Sequence, residues 1–323
     1  MSLSPLVLLA LAFGIGAIIA AIAIPLLIAW QRRLAIGQQV YEDGPASHAD
    51  KQGTPTMGGV AFVLAAIAGT VVAYWQGGPS TWHVPLLLLV TAAAAIGFAD
   101  DYLKVVRKRA LGLRARAKFA LLIAVALAFV AWASTQHVYA AQWFSGFIVL
   151  PQWLWWVLAL CAIVGAANAV NLTDGLDGLA AGTAVPPLWL FSFLFADALP
   201  AAVLGACVAF LYYNRHPARI FMGDTGSLAL GALLAGLAIE YDFLLLLPII
   251  GIVFVAEALS VIAQVASFKT TGRRIFAMTP LHHHFELKGW REQRVTTMFI
   301  VTSACAAILT FVLLAFAPPG QAN

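Results

Sequence analysis

Apolar residues run along this chain in long blocks separated by short polar stretches. About ten blocks approach the roughly 20 residues that a bilayer core requires. They predict helices over Leu3–Trp30, Met57–Tyr74, Val84–Ala99, Phe119–Ala133, Trp153–Val170, Leu179–Phe195, Ala201–Tyr213, Leu228–Ile239, Phe243–Phe268 and Val295–Ala317. The blocks are continuous and lack the ten-residue alternation of a transmembrane barrel. Small residues and prolines inside them are ordinary for packed membrane helices. The expected fold is all-α: a polytopic integral membrane protein of about ten transmembrane helices, in one domain over residues 1–323. No soluble domain, low-complexity tract or clear repeat interrupts the series. The first block follows no basic leader and is too long for the apolar core of a cleavable signal, so it reads as a permanent span.

Composition narrows the class further. Of the 323 residues, 62% are hydrophobic and 10% charged, and the mean hydropathy is +0.91. Soluble domains carry about 25% charged residues, so an enzyme with a solvated surface is excluded, as is a disordered chain. Cys161, Cys207 and Cys305 all lie in apolar runs without framework or metal spacing; they read as inert buried thiols.

Charge placement orients the chain. All 18 Lys and Arg residues fall in connections after the first, third, seventh or ninth block. The even connections, Gln76–His83, Ser134–Gln152, Ala196–Pro200 and Glu240–Asp242, carry none. The positive-inside rule puts the odd connections in the cytoplasm and both termini outside, on the periplasmic side. The net charge of +4 needs no nucleic acid, because juxtamembrane bases against anionic lipid account for it. Most of the remaining polar groups crowd the same face: Asp43, Asp50, Asp100, Asp101, Asp174, Asp177, Asp224 and His282–His284. Burying such groups is costly, so an active site is expected at the cytoplasmic membrane boundary.

Five stretches carry the candidate chemistry. In Asp100-Asp101-Tyr102-Leu103-Lys104, a continuing helix lets Lys104 reach either acid. The two acids point about 100° apart, so one is free to face a metal and the other a substrate; a plain ion pair closing a helix is the alternative. In Asn168-Ala-Val-Asn171-Leu-Thr-Asp174-Gly175-Leu176-Asp177-Gly178, the glycines suggest a break, with Asn168 and Asn171 ending one helix and Asp174 and Asp177 in the connection. Amides and carboxylates there suit sugar, uridine and hydrated Mg²⁺, or else a helix cap and turn. Asn214 to Ser227 holds Asp224 among glycines, a candidate metal ligand at a helix start, with Phe221 able to stack on a base. His282, His283 and His284 are consecutive and internal; hydrogen bonding to phosphate suits them better than a shared zinc. Lys51 to Gly59 has a phosphate-loop flavour with Lys51 and Thr56, without Walker spacing. Glu257 and Gln264, seven apart on one helix face, are expected to bond within the bundle. A secondary transporter would instead place ionisable groups near mid-membrane, and only Glu257 fits that pattern. Carboxylates and bases gathered at a membrane surface suit Mg²⁺-dependent phosphoryl transfer involving a lipid substrate.

At these residues the chain resembles the phospho-N-acetylmuramoyl-pentapeptide transferases, within the polyprenyl-phosphate N-acetylhexosamine-1-phosphate transferase superfamily. The resemblance runs from about Gly37 to Val295. It includes GTPTMGG at 53–59, DDYLKVVRK at 100–108, NAVNLTDGLDGLA at 168–180, FMGDTGSLALG at 221–231 and TPLHHHFELKGW at 279–290. The last stretch separates this group from relatives that use other sugars. The resemblance implies transfer from UDP-N-acetylmuramoyl-pentapeptide to undecaprenyl phosphate, giving lipid I and UMP at the bacterial inner membrane. It implies Mg²⁺ at Asp224 with Asp100 and Asp101 beside it, and Asp100 deprotonating or positioning the lipid phosphate. Lys104 and His282–His284 join the catalytic group. Lys118 holds the lipid phosphate. Asn168, Asn171, Asp174, Gly175, Leu176 and Asp177 border uridine and sugar, and Phe221 stacks on uracil. Lys51, Thr56, Asn214 and Gln264 line the same cleft. A homodimer is implied as well.

Overall fold

The computed structural model of the chain describes residues 3–33, 53–75, 80–107, 112–136, 139–144 and 146–315. Among these are ten longer helices: α1 (Pro5–Arg33), α2 (Val60–Trp75), α3 (His83–Val105), α4 (Ala115–Ala133), α5 (Gln152–Thr173), α6 (Leu179–Phe195), α7 (Ala198–Asn214), α8 (Gly223–Glu240), α10 (Ile252–Thr271) and α12 (Glu292–Ala315). Two short ones, α9 (Leu247–Ile250) and α11 (Leu281–Leu287), sit between them. Six helices, α1, α3, α4, α5, α10 and α12, are long and apolar enough to cross a membrane; α2, α6 and α7 are shorter apolar helices.

The architecture is built around α8. Every residue from Thr225 to Glu240 is buried, as expected of a helix that is apolar on all sides. It packs along α3 and α5, while α7 packs against α1, α2 and α6. Small residues allow the closest crossings: a Cβ on Gly16 of α1 would fall 1.8 Å from the Ala202 carbonyl oxygen of α7. The polar positions of α8 are thus pushed to its two ends, Asp224 in the first turn and Glu240 in the last.

Three features depart from the sequence pattern. The connection between α4 and α5 contains a hairpin, β1 (Ala140–Trp143) against β2 (Gly146–Val149), antiparallel with Ala140 opposite Val149 and Trp143 opposite Gly146. Four-residue strands are too short to show periodicity, and this pair is tied down from afar, with Gln142 N–H donating to the Asp242 carbonyl. The predicted ninth helix is interrupted: Pro248, in the first turn of α9, lacks a donor, and the chain reorients at Gly251 before α10. Finally, α3, α7 and α8 extend past their apolar blocks. Hydropathy drops at their polar ends although the helical hydrogen bonds continue, and those extensions carry Asp100, Asp101, Lys104, Asn214 and Asp224.

Candidate functional site

The last turns of α3, the first turn of α8, the first turn of α4 and the last turn of α5 converge. Asp100, Asp101 and Asp224 each offer a carboxylate oxygen within 4.8 Å of the others. Lys104 Nζ lies 2.5 Å from Asp100 Oδ2, the helical i,i+4 pair that the spacing predicts, and 3.2 Å from Asp224 Oδ2. Lys118 Nζ, from α4, lies 2.5 Å from the same Asp224 oxygen. Asn171 Nδ2 donates to the other Asp224 oxygen at 2.8 Å and to Ser227 Oγ at 2.9 Å. With all five groups ionised, three carboxylates face two ammoniums, so one negative charge is left for a further cation.

Each acid is held differently. Asp100 Oδ1 accepts from the Leu113 backbone N–H at 2.7 Å. That loop comes close because Gly112 has φ +54°, and a Cβ there would meet the carboxylate at 2.6 Å. Asp101 is 4% exposed and caps α8: Oδ1 accepts from Asp224 N–H at 3.0 Å, and Oδ2 from Thr225 N–H at 3.0 Å and its hydroxyl at 2.6 Å. The first turn of a helix leaves unsatisfied N–H groups, and here a neighbouring helix supplies the acceptor. Both Oδ2 lone pairs are thereby engaged, and Oδ1 keeps one. Asp224, by contrast, has only side-chain donors on its carboxylate.

The segment before α2 docks on this assembly. Phe221 N–H donates to the Pro55 carbonyl, Gly58 N–H to the Phe221 carbonyl and Gly59 N–H to the Met222 carbonyl, at 2.8, 2.9 and 3.0 Å. The approach requires the glycines: a Cβ on Gly59 would sit 2.0 Å from Gly226 Cα. Thr56 is clamped by the fully buried Gln31 of α1, whose amide donates to the Thr56 carbonyl at 2.6 Å and accepts from its N–H at 2.9 Å. Phe221 itself is half-buried at this junction. Lys51 lies outside the described residues.

Other candidates hold the surrounding loops. Asn168 Nδ2 donates to the Val164 carbonyl of its own helix. Asp174 sits at the C-cap of α5. Leu176 packs with Leu179, Val253, Val295 and Phe299. Asn214 joins two turns, accepting from Gly178 N–H at 3.0 Å and donating to the Ile220 carbonyl at 2.9 Å. Gln264 accepts from Ile275 N–H and Phe276 N–H and donates to the Phe276 carbonyl.

Glu257 and Gln264 share a helix face but bond to different segments. Glu257 bonds within the bundle as anticipated, but its partner is His282, whose Nδ1 and backbone N both lie 3.2 Å from Glu257 Oε1. His282 and Glu257 are fully buried. The imidazole fits against the end of α5 because residue 175 is glycine; a Cβ there would fall 2.3 Å from Nε2. His283 Nδ1 pairs with Glu286 at 2.7 Å, and His284 Nδ1 accepts from Ala277 N–H at 3.1 Å. The three histidines thus have three different partners.

A second cluster escaped the sequence reading. Asp177 Oδ2 accepts from Ala218 N–H at 3.0 Å and lies 3.2 Å from His216 Nδ1, which is 3.4 Å from Glu292 Oε2. Glu292 Oε1 accepts from Asp177 N–H at 2.6 Å. This ties the α5–α6 and α7–α8 turns to the start of α12. Nothing about Glu292 in sequence signals the contact. Gln31 had a signal, an uncharged polar residue at the end of an apolar helix.

Comparison with known proteins places these features in a group. Residues 83–242 match the family model described as Glycosyl transferase family 4. Residues 51–63 match the Phospho-N-acetylmuramoyl-pentapeptide-transferase signature 1. The chain is 45% identical over 313 residues to the phospho-N-acetylmuramoyl-pentapeptide-transferase of Geobacillus kaustophilus, covering 93% of this chain and 95% of the relative. It is 46% identical over 310 residues to that of Bacillus subtilis, covering 91% and 94%. It is 45% identical over 307 residues to that of a Thermoanaerobacter species, covering 89% and 92%.

Proposed function

The chain belongs to the phospho-N-acetylmuramoyl-pentapeptide-transferase family and is a transferase, and from that premise we propose how its residues work. It moves phospho-N-acetylmuramoyl-pentapeptide from UDP to undecaprenyl phosphate at the inner face of the bacterial cytoplasmic membrane, releasing UMP and leaving lipid I. The ten long helices all cross the membrane, with both termini outside. The observation that carries this reading is the meeting of Asp100, Asp101, Asp224, Lys104 and Lys118 at one point. Two sequence motifs, on α3 and α8, and a third helix, α4, contribute to this single charged site.

A lipid phosphate oxygen attacks the sugar-side phosphorus. The new P–O bond forms as the bond to the bridging oxygen of UMP breaks, and UMP leaves with that electron pair. A phosphate monoester is already largely dianionic near neutral pH, its second pKa being about 6. Little proton abstraction is therefore needed, and the work is positioning and charge neutralisation. Lys118 and Lys104 hold the attacking phosphate, releasing Asp224 as they do so. Asp100, fixed by Leu113, positions that phosphate or takes its residual proton. Asn171 keeps the Asp224 carboxylate turned toward the hollow. Asp101 holds the first turn of α8 in place. His282, set by Glu257, and its neighbours donate hydrogen bonds to the diphosphate. Asn168, Asn171, Asp174, Gly175, Leu176 and Asp177 frame uridine and sugar from the α5–α6 turn, Leu176 from behind, and Phe221 faces the base. Thr56, Asn214 and Gln264 shape the cleft through the segments they bind.

The donor set suits Mg²⁺: hard carboxylate oxygens, close together, with an excess negative charge. Asp224 and Asp100 would hold the ion, with the remaining Asp101 lone pair as a third donor. When bound, the metal supplies neutralisation of charge on the phosphates.

Radiolabelled transfer by the purified chain in detergent tests the reading. Lipid-extractable label and UMP should appear together only with Mg²⁺ and undecaprenyl phosphate present. UDP-N-acetylglucosamine should give no product. Detergent micelles have no sealed compartment, so turnover there also excludes transport. Absence of lipid product under these conditions would overturn the proposal.

A further inference from the structure

The connection between α4 and α5 lies at the far ends of those helices from Lys118 and Asn171, which sit in the first turn of α4 and the last turn of α5. Residues 134–152 contain no Asp, Glu, Lys or Arg. About a quarter of the residues in a soluble domain are charged, so a water-facing connection of this length would carry several. This one presents apolar side chains instead. Phe147, Ile148 and Val149, consecutive in β2, are 50%, 43% and 74% exposed. Trp143 at the end of β1 and Trp153 in the first turn of α5 are exposed as well.

The other side of the hairpin is fixed to the fold. Ala141 and Leu150 are buried. Tyr139 packs on Trp155 with ring centroids 5.6 Å apart, and Leu150 N–H donates to the Tyr139 carbonyl at 2.7 Å. Gln142 N–H donates to the Asp242 carbonyl at 2.6 Å, away from the β1–β2 ladder. Gln142 faces Phe147. In an antiparallel pair, facing residues either exchange both bonds or both turn outward. The backbone groups of Phe147 therefore point away from β1, and β2 is the outer edge of a two-stranded sheet. Two constraints then meet. Three consecutive exposed apolar residues on a sheet edge are an association hazard in water. The same open edge is excluded from the hydrocarbon core, where its N–H and C=O groups find no partner. The boundary between headgroups and acyl chains satisfies both: acyl carbon covers the side chains, and water and headgroups bond the backbone.

We infer that β2, with Trp143 and Trp153 beside it, docks into the headgroup–acyl boundary of the membrane, lipid being the partner of this face. Tryptophan rings favour that depth. The patch continues onto α4 and α5, which flank the hairpin and are both long and apolar enough to cross a membrane. Exposed Leu127 of α4 and Val157 of α5 carry the apolar surface on from it. A protein partner would meet a polar rim around an apolar centre, and this connection offers no charged residue for one. The inference rests on α4 and α5 being spans and on no part of the transfer chemistry.

The test uses the full-length protein in phosphatidylglycerol nanodiscs, with exposed Cys161 and Cys305 replaced by Ala. Phe147→Cys, Val149→Cys and Val157→Cys each carry a nitroxide, and power saturation compares collisions with oxygen, which partitions into lipid, and with a water-soluble nickel chelate. At Val157 oxygen should dominate several-fold. Phe147 and Val149 should show the same preference with a smaller excess, as befits the boundary, while transferase turnover stays near that of the parent. Nickel access at both hairpin positions with lipid at Val157 would overturn the proposal alone. Nickel access at Val157 would overturn the spanning reading and the placement of the hairpin with it. Shielding from both reagents at the hairpin would also overturn the proposal, and dipolar broadening that vanishes on dilution with unlabelled protein would identify a second copy as the occupant. The two hairpin positions are read separately, so a variant that fails to fold at one leaves the other to decide.

Discussion

At one end, α3 and α8 bring Asp100, Asp101 and Asp224 against Lys104 and Lys118. At the other, the same two helices bring His83 and Glu240 toward Asp197 and Tyr241, with no Lys or Arg paired to them among the described residues. Both ends bury acids, yet the compensation differs. The first balances most of its charge internally, with Lys104 and Lys118 against the acids, and caps α8 with Asp101. The second divides its acids among hydroxyl, imidazole and backbone partners. The difference teaches what burial of a carboxylate means in this chain: at one end it is balanced by ammonium groups, and at the other by hydroxyl, imidazole and backbone partners.

The largest effect expected to break this contrast is at Asp224. Asp224→Asn keeps the shape and the Asn171 contact but removes the charge facing both lysines. Mg²⁺-dependent turnover should fall on the order of 10³-fold, with the unfolding temperature in detergent near that of wild type. Turnover near normal would remove Asp224 from the centre. Next is the crossing that brings the acids together: a Cβ on Gly97 would fall 2.1 Å from the Asp224 carbonyl oxygen. Gly97→Ala should cost about 2–3 kcal/mol, the upper range for overpacking, seen as a lower unfolding temperature together with lost turnover. Full stability in that variant would mean that the helices do not need their close approach.

Lys118→Ala sharpens the assignment within the centre. It should raise the lipid-phosphate requirement roughly 10- to 100-fold, the range of one charge-assisted hydrogen bond. The KM for the nucleotide sugar should change much less; equal changes in both would sink the lipid-phosphate role. The smallest effect is expected at the far end, where Glu240→Gln should leave transfer within about twofold of wild type, since no part of the centre contacts it. A large loss there, measured by the same radiolabelled assay, would show the two ends to be coupled.

Local spacing made part of the centre legible. Asp100 and Lys104 are four residues apart on one helix, and they pair. Asn171 at the end of α5 and the glycines around Asp224 likewise announced themselves by polar residues in an apolar chain. Other roles were hidden because they depend on a distant partner. Asp101 reads as a twin of Asp100, yet it caps a helix that begins more than 120 residues later. Glu257 and Gln264 share a helix face in sequence, but Glu257 meets His282 while Gln264 turns to the loop at Ile275 and Phe276. Glu292 lies in an ordinary polar stretch and gains its contact with Asp177 only through the packing of α12 on α6.

The sequence by itself determined that the chain is a helical membrane protein and which residue types supply carboxylates, bases and glycines. Those properties are local: hydropathy, charge placement and spacing along one helix fix them. The tertiary structure alone decided which acid faces the lysines, which caps α8, which histidine meets Glu257, and that Glu292 reaches Asp177. A carboxylate's role depends on the donors within about 3 Å of it, and in this fold those donors come from helices far away along the chain.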